Sequence, residues 1–290
     1  MDGRAVAPAA GTVLNAMATG RGSAFAIDLE TTASVELTDD GEIVGEIADR
    51  PEADPRLVER CVSLTLDRYA EDAGLERADV GAVVRTESDV PVAAGLKSSS
   101  AAANATVLAT LDALEIVDAV ERVDACRIGV KAARDVGVSI TGAFDDASAS
   151  MLGGVTVTDN DADELLDRES VEWEALVYTP PEQAFSADVD LDACRRIAPV
   201  ARVVEELALD GRYGEAMTVN GFAYCGALSF PVEPLLEALP DVDGVSLSGT
   251  GSSYVAVGTR DVLEPAAERW ADRPGTTRLV DTRNDGTTTA

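Results

Sequence analysis

The run PVAAGLKSSSAAANA (residues 91–105) sets a glycine, a lysine and three serines in front of an alanine-rich stretch. A glycine turn that opens a helix exposes unpaired amides at the positive end of the helix dipole, where phosphate binds. A P-loop needs a glycine directly before the lysine, and Leu96 stands there instead. On residue types alone, GLKSSS (95–100) fits both an anion cradle and a serine-capped helix start. A second run, TGAFDDASASMLGG (141–154), places Asp145 and Asp146 among side chains too small to cover them. Such a pair is either a catalytic base or metal ligand, or two solvated surface acids. A third run, SLSGTGSS (246–253), is either a hairpin turn or bare backbone laid against a ligand.

Composition narrows the chemistry these runs can perform. The chain has no histidine, which removes Ser-His-Asp and Cys-His catalysis and histidine-bound metals. Cys61, Cys126, Cys194 and Cys225 show no C-x-x-C spacing and are expected as reduced, buried thiols. What remains is carboxylates, hydroxyls, lysine, arginine, backbone amides and a hard metal ion. The 53 acids against 23 bases give a net charge of −30, so nucleic acid and anionic membranes are poor partners. Lys97 and Lys131 are the only lysines. An acidic, lysine-poor surface is similar to that of proteins from salt-loving organisms, where a Debye length of about 3 Å at 1 M mutes self-repulsion. The N-terminal MDGRAVAP lacks the basic and long apolar regions of a signal peptide, and no run approaches about 18 apolar residues. A cytoplasmic location is expected.

The elements that must position these runs follow from periodicity and punctuation. Residues 6–29 are small and glycine-punctuated and suggest strands flanking a long loop, followed by alternation over residues 32–37. Asp54-Pro55 predicts a helix start, with the helix running to about Ala73. Strands are expected at 80–86, 155–158, 173–178 and 277–281, and two joined by a glycine turn within 244–258. Helices are expected at 98–114, 117–135, 191–209, 214–228 and 262–271. The acidic run 139–154 reads as a loop, the polar stretch 159–170 as a boundary between lobes, and residues 284–290 as a fraying tail. Strands and helices without sustained alternation predict an α+β fold.

In this order the three runs resemble the motifs of the GHMP small-molecule kinases, the superfamily of galactokinase, homoserine kinase, mevalonate kinase and phosphomevalonate kinase. PVAAGLKSSSA matches the family's P-x-x-x-G-L-G-S-S-A-A except at Lys97 and Ser100, and SGTGSS (248–253) resembles its last glycine-rich motif. The opening GRAVAPAAGTVLNA (3–16), the continuation ATGRGSAFAID (18–28) and TGAFDDAS (141–148) are most similar to archaeal shikimate kinases. The resemblance implies a two-lobed fold, with an N-terminal lobe like ribosomal protein S5 domain 2 (1–160) and a ferredoxin-like C-terminal lobe (161–290). It implies ATP and Mg²⁺, with Pro91, Gly95, Leu96, Lys97, Ser98, Ser99, Ser100 and Ala101 around the phosphates and Ser99 and Asp135 as metal ligands. Asp146 is then the base, with Asp145 as the alternative. Arg21, Thr141, Gly249 and Gly251 are expected beside the acceptor, shikimate. Several relatives carry a lysine in the first motif, A-P-G-K, where this chain has APAAG (7–11). Lys97 is therefore expected to face the ATP phosphates, or an arginine such as Arg21 to serve in place of that lysine. Homoserine and mevalonate remain alternative acceptors, and a non-catalytic nucleotide-binding protein the alternative class.

Overall fold

The computed structural model describes residues 1–91, 93–139, 143–182 and 189–290. Strands β1 (Asp2–Leu14) and β2 (Arg21–Thr38) pair antiparallel along most of their length. The long loop expected within 6–29 shrinks to residues 15–20, which include one turn of 3₁₀ helix. Alternation is lost from β1 beyond Ala7 because both faces there are buried. Pro8 is tolerated because the ladder shifts register between Pro8 and Ala9.

The large sheet adds β3 (Ile43–Ile47), β4 (Gly81–Ser88), β5 (Val155–Asp159) and β6 (Glu164–Glu169). β3 and β4 are parallel, and the helix α1 (Arg56–Tyr69) makes the crossover between them. Helix α2 (Ser98–Ala113) is buried on almost every side, under β1 and β2 and against α1, α3 (Arg122–Val136) and α4 (Phe144–Leu152). Its alanines let it lie close to the strand: a Cβ at Gly3 would run into the Ala109 carbonyl.

The small sheet joins β7 (Glu174–Thr179), β8 (Gly244–Leu247), β9 (Tyr254–Gly258) and β10 (Thr276–Asp281) in the order β10-β7-β9-β8, all antiparallel. Between β7 and β8 come α5 (Leu191–Arg196), α6 (Ala198–Leu209), α7 (Tyr213–Leu228) and α8 (Glu233–Ala238), and α9 (Arg260–Ala271) links β9 to β10. That order is the ferredoxin-like arrangement. Phe25, Ile27 and Val157 of the large sheet share one apolar cluster with Val177 and Val255 of the small one, so a continuous core joins the lobes.

Further expectations change. The helix expected over 117–135 starts only at Arg122, after a separate 3₁₀ turn at Val117–Ala119. Residues 144–152 form α4, with Phe144, Ala147 and Met151 turned into the core at helical spacing. The stretch 159–170 contains β6, which continues the large sheet as the second arm of a hairpin with β5. The helix expected over 191–209 breaks at Ile197, two residues before Pro199 in the first turn of α6. The C-terminal tail is tied down: β11 (Thr288–Thr289) pairs with β1, and Thr287 donates through its N–H to Met151 and through its hydroxyl to Ser150. The four cysteines are free and buried, and burial pushes the Cys61 and Cys126 thiols up. Among the described residues, no helix is long and apolar enough to cross a membrane.

Candidate active site

Three chain segments meet at the junction of the sheets. The end of β1 grips the glycine turn between β8 and β9: Gly249 donates its N–H to Thr12 Oγ1 at 2.8 Å, and Asn15 Nδ2 donates to the Gly249 carbonyl at 2.8 Å. Asn15 is itself held from α7, its N–H donating to Asn220 Oδ1 at 3.0 Å and its carbonyl accepting from the Tyr224 hydroxyl at 2.8 Å. The turn in its turn holds the middle run, through Ser248 Oγ on the Gly95 carbonyl (2.9 Å) and the Ser253 N–H on the Ala94 carbonyl (3.1 Å). Gly95, at φ +76°, is required there because a Cβ would strike the Ser248 carbonyl.

Helix α2 begins directly after this clamp. Its cap position is Lys97, in the left-handed region at φ 65°, and no side chain caps the helix. The serines therefore do not act as caps as their types suggested. They lie in the first turn, where amide groups have no acceptor inside the helix, and Ser99 is exposed. That is a surface for phosphate oxygens. Leu96 and Ala101 turn their side chains into the core, so only their backbone is available to a ligand. Pro91 is half-buried, Ser98 likewise, and Ser100 is buried.

Lys97 itself turns away from the role expected of it. Its Nζ lies 2.8 Å from Oδ1 of Asp146, with the two side chains 7% and 18% exposed. The approach is an ion pair without hydrogen-bond geometry, and Oδ1 remains a buried acceptor with no hydrogen-bond donor. The path of the lysine is open because residue 249 is glycine: a Cβ there would sit 2.8 Å from Nζ. Ala10 of the APAAG run donates its N–H to the Leu96 carbonyl at 3.4 Å, so Lys97 rises next to the strand position that lacks a lysine.

Asp145 and Asp146 share the first turn of α4 but not an environment. Asp145 is 5% exposed, its Oδ1 accepting from Asn160 Nδ2 at 2.7 Å while its N–H donates to Asn160 Oδ1 at 3.0 Å. Burial, then the charge of Asp146, raises its pKa, against the opposing pull of Lys97. It fits beneath β2 because residue 22 is glycine, where a Cβ would stand 2.5 Å from the Asp145 Cβ. Of the pair, Asp146 is the more exposed.

The other expected residues scatter. Arg21 binds Asp159 at 2.8 Å and Glu205 at 3.5 Å and lines a cavity of about 750 Å³ beside residues 16–20. Gly251, at φ +85°, closes the glycine turn and backs onto the Phe230 ring, which a Cβ would meet at 2.4 Å. Thr141 lies outside the described residues. Asp135 does not join the cluster: Arg60 holds it at 2.6 Å and Lys131 at 2.9 Å, and these two partners lower its pKa. Asn15, Asn160 and Asn220 were missed by sequence reasoning. Asn15 lies within the opening motif, whereas nothing in the sequence marks the other two: Asn160 meets Asp145 only across the turn from α4 into β5, and Asn220 meets Asn15 from 205 residues away.

Among the described residues, no three or more Asp, Glu, Cys or His side chains gather as a metal cage. Mg²⁺ does not require such a cage, since it takes one or two protein oxygens and completes its shell with phosphate and water. The exposed hydroxyl of Ser99 is a donor of the right kind.

Fold and site together define a small-molecule kinase of the GHMP type. The family model described as GHMP kinases N terminal domain matches residues 56–154. Shikimate kinase of Halobacterium salinarum is 61% identical over 290 residues, covering 100% of both chains, and shikimate kinase of Methanosarcina mazei is 48% identical, covering 97% of this chain and 94% of its own. The crystal structure of homoserine kinase from Cytophaga hutchinsonii aligns with a TM-score of 0.75 at 19% identity, covering 100% of this chain and 97% of that one. That of the Methanococcus jannaschii mevalonate kinase gives 0.73 at 14%, covering 97% and 98%. The chain belongs to the GHMP kinase family, among the members that carry the name shikimate kinase.

Proposed function

We propose that the protein is an ATP- and Mg²⁺-dependent shikimate kinase, transferring the γ-phosphoryl group of ATP to the 3-hydroxyl of shikimate. The observation that carries the chemistry is Asp146 beside Lys97, where the strand end, the α2 turn and the glycine turn meet. The choice of acceptor is supported by the relatives that share the whole chain length.

Phosphoryl transfer is positioning plus charge stabilisation. The first-turn amides of α2, with Gly95 behind them, cradle the phosphates. Asp146 accepts the proton of the attacking hydroxyl as its oxygen bonds to the γ-phosphorus and the bond to the ADP oxygen breaks. Lys97 orients that carboxylate and offsets its charge. Magnesium, when bound, neutralises phosphate charge, with Ser99 as the protein oxygen that would hold it. Asp145 and Asn160 fix the first turn of α4 and so the direction of Asp146. Four buried reduced thiols and a net charge of −30 support a cytoplasmic protein that handles small molecules and not nucleic acid.

A coupled ADP-release assay in high salt, run with shikimate, homoserine and mevalonate, tests this reading. Shikimate-dependent turnover is expected. Its absence in folded protein, with turnover on another acceptor, would remove the substrate and leave the kinase. In Asp146→Asn, ATP binding should survive while kcat drops by about 10²–10⁴, and near-normal turnover would remove Asp146 from its role.

A further inference from the structure

The cavity of about 750 Å³ beside Arg21 has the size of a small-molecule site. Its wall carries Arg21, Arg195 and Arg202 against Asp161 and Glu205, a positive excess in a chain whose net charge is −30. These arginines are not equivalent. Arg21 is engaged by Asp159 and Glu205. Arg195, on α5, pairs with Asp192 one turn away at 3.0 Å, with both side chains about two-thirds exposed or more, a contact that water already weakens. Arg202, on α6, makes no hydrogen bond or ion pair among the described residues. The available positive charge therefore belongs to α5 and α6, and the arginine that the sequence singled out shapes the wall.

The cavity is also in the right place. Arg21 is followed by Gly22, whose missing side chain makes room for Asp145, and Asp161 follows Asn160, which hydrogen-bonds Asp145. Two wall residues are tied to the site by hydrogen bonds: the Gly20 carbonyl accepts from the N–H of Asn160, the partner of Asp145, and Met17 donates its N–H to Asn15 Oδ1, the residue that holds Gly249.

We infer that Arg202, with Arg195 beside it, is the seat of the acceptor's carboxylate and so selects acids over neutral polyols. The inference rests on the proposed kinase activity and deepens it. The planar guanidinium suits a carboxylate through two parallel N–H donors, a geometry that lysine lacks.

The test is steady-state kinetics of wild type, Arg202→Gln, Arg202→Lys and Arg195→Gln in high salt, with shikimate and with its neutral methyl ester. Arg202→Gln should raise KM for shikimate about 10- to 100-fold, the loss of one charge-assisted pair, and leave KM for ATP unchanged. Arg202→Lys should fall between. On the methyl ester, wild type and Arg202→Gln should perform alike. Equal losses on acid and ester would make Arg202 a structural residue and overturn the seat, as would an unchanged KM for shikimate. If wild type ignores shikimate but phosphorylates homoserine or mevalonate, the substrate reading fails, and the same variants on that acid decide the seat separately. Turnover confined to acceptors without a carboxylate would overturn it outright.

Discussion

Lys97 shows how one side chain's meaning depends on what it meets. In the sequence it stands in a phosphate-binding turn, and a role on ATP follows naturally. In the structure its Nζ is on Asp146, so its removal should act on the chemical step. Lys97→Met should lower kcat by about 10- to 1,000-fold, with KM for ATP little changed, since interactions realised in the transition state appear in kcat. A rise in KM for ATP at constant kcat would return the lysine to the phosphates. Asp145 gives a second residue-scale expectation, in stability. Its pKa is raised from 3.8 to about 7, chiefly by burial. Below pH 3.8 it is neutral in folded and unfolded chains alike. Between 3.8 and about 7 the unfolded chain ionises while the folded one holds its proton, so this site's contribution falls as pH rises, and above that window the penalty is constant. Asp145→Asn keeps an acceptor for Asn160 Nδ2 and removes the charge. Its stability relative to wild type should be near zero at pH 4 and climb to roughly 2–4 kcal/mol at pH 8. Urea unfolding across that range checks it, and a difference that does not vary with pH would show that Asp145 titrates as an ordinary carboxyl.

At the scale of elements, glycine positions couple one segment to another. Gly249 carries two constraints: φ +55° disfavours any side chain, and a Cβ would meet Lys97 Nζ at 2.8 Å. Gly249→Ala should therefore cost about 1–3 kcal/mol of stability and also lower kcat by displacing Lys97. Combining it with Lys97→Met separates the effects. If the catalytic loss runs through the lysine, the double variant should have nearly the kcat of Lys97→Met alone, whereas additive losses would show that the turn acts by another route. The segments that make this coupling were unevenly legible. Gly95, the serines and α2 could be found because a helix start and its apolar spacing are local signals. Helix α4 was not, although Phe144, Ala147 and Met151 follow helical spacing, because two acids and small serines look like a loop until a core is packed behind them. The Lys97–Asp146 pair was invisible for the same reason, since it exists only once α4 presents its first turn to α2. Asn160 was read as part of a polar boundary because its partner, Asp145, is reached only when β5 joins β2.

For the whole molecule, composition foretold the charge of the surface better than the topology. The α+β character was legible, while the return of the C-terminal tail to β1 and the core shared by the two sheets depend on contacts between residues far apart in sequence. The acidic surface leads to the largest-scale expectation. Two electrostatic terms oppose each other as salt is added. Ion pairs such as Arg56–Asp54 and Arg195–Asp192 are exposed, and each contributes only about 0–1 kcal/mol that salt erodes. Against them stands the self-repulsion of a net charge of −30, which every unpaired carboxylate feels and which salt relieves as the Debye length contracts from about 10 Å at 0.1 M to about 3 Å at 1 M. The unfolded chain spreads the same charge over a larger volume, so repulsion destabilises the compact state more, and screening should favour folding. Tm should therefore rise between 0.1 and 1 M KCl by roughly 5–10 °C, corresponding to a few kcal/mol for a chain of this size. The rise should flatten beyond about 1 M, where the screening length falls below the spacing of surface charges. A continued linear rise would instead mark salt exclusion from the surface, and a fall in Tm would show that the ion pairs outweigh the repulsion.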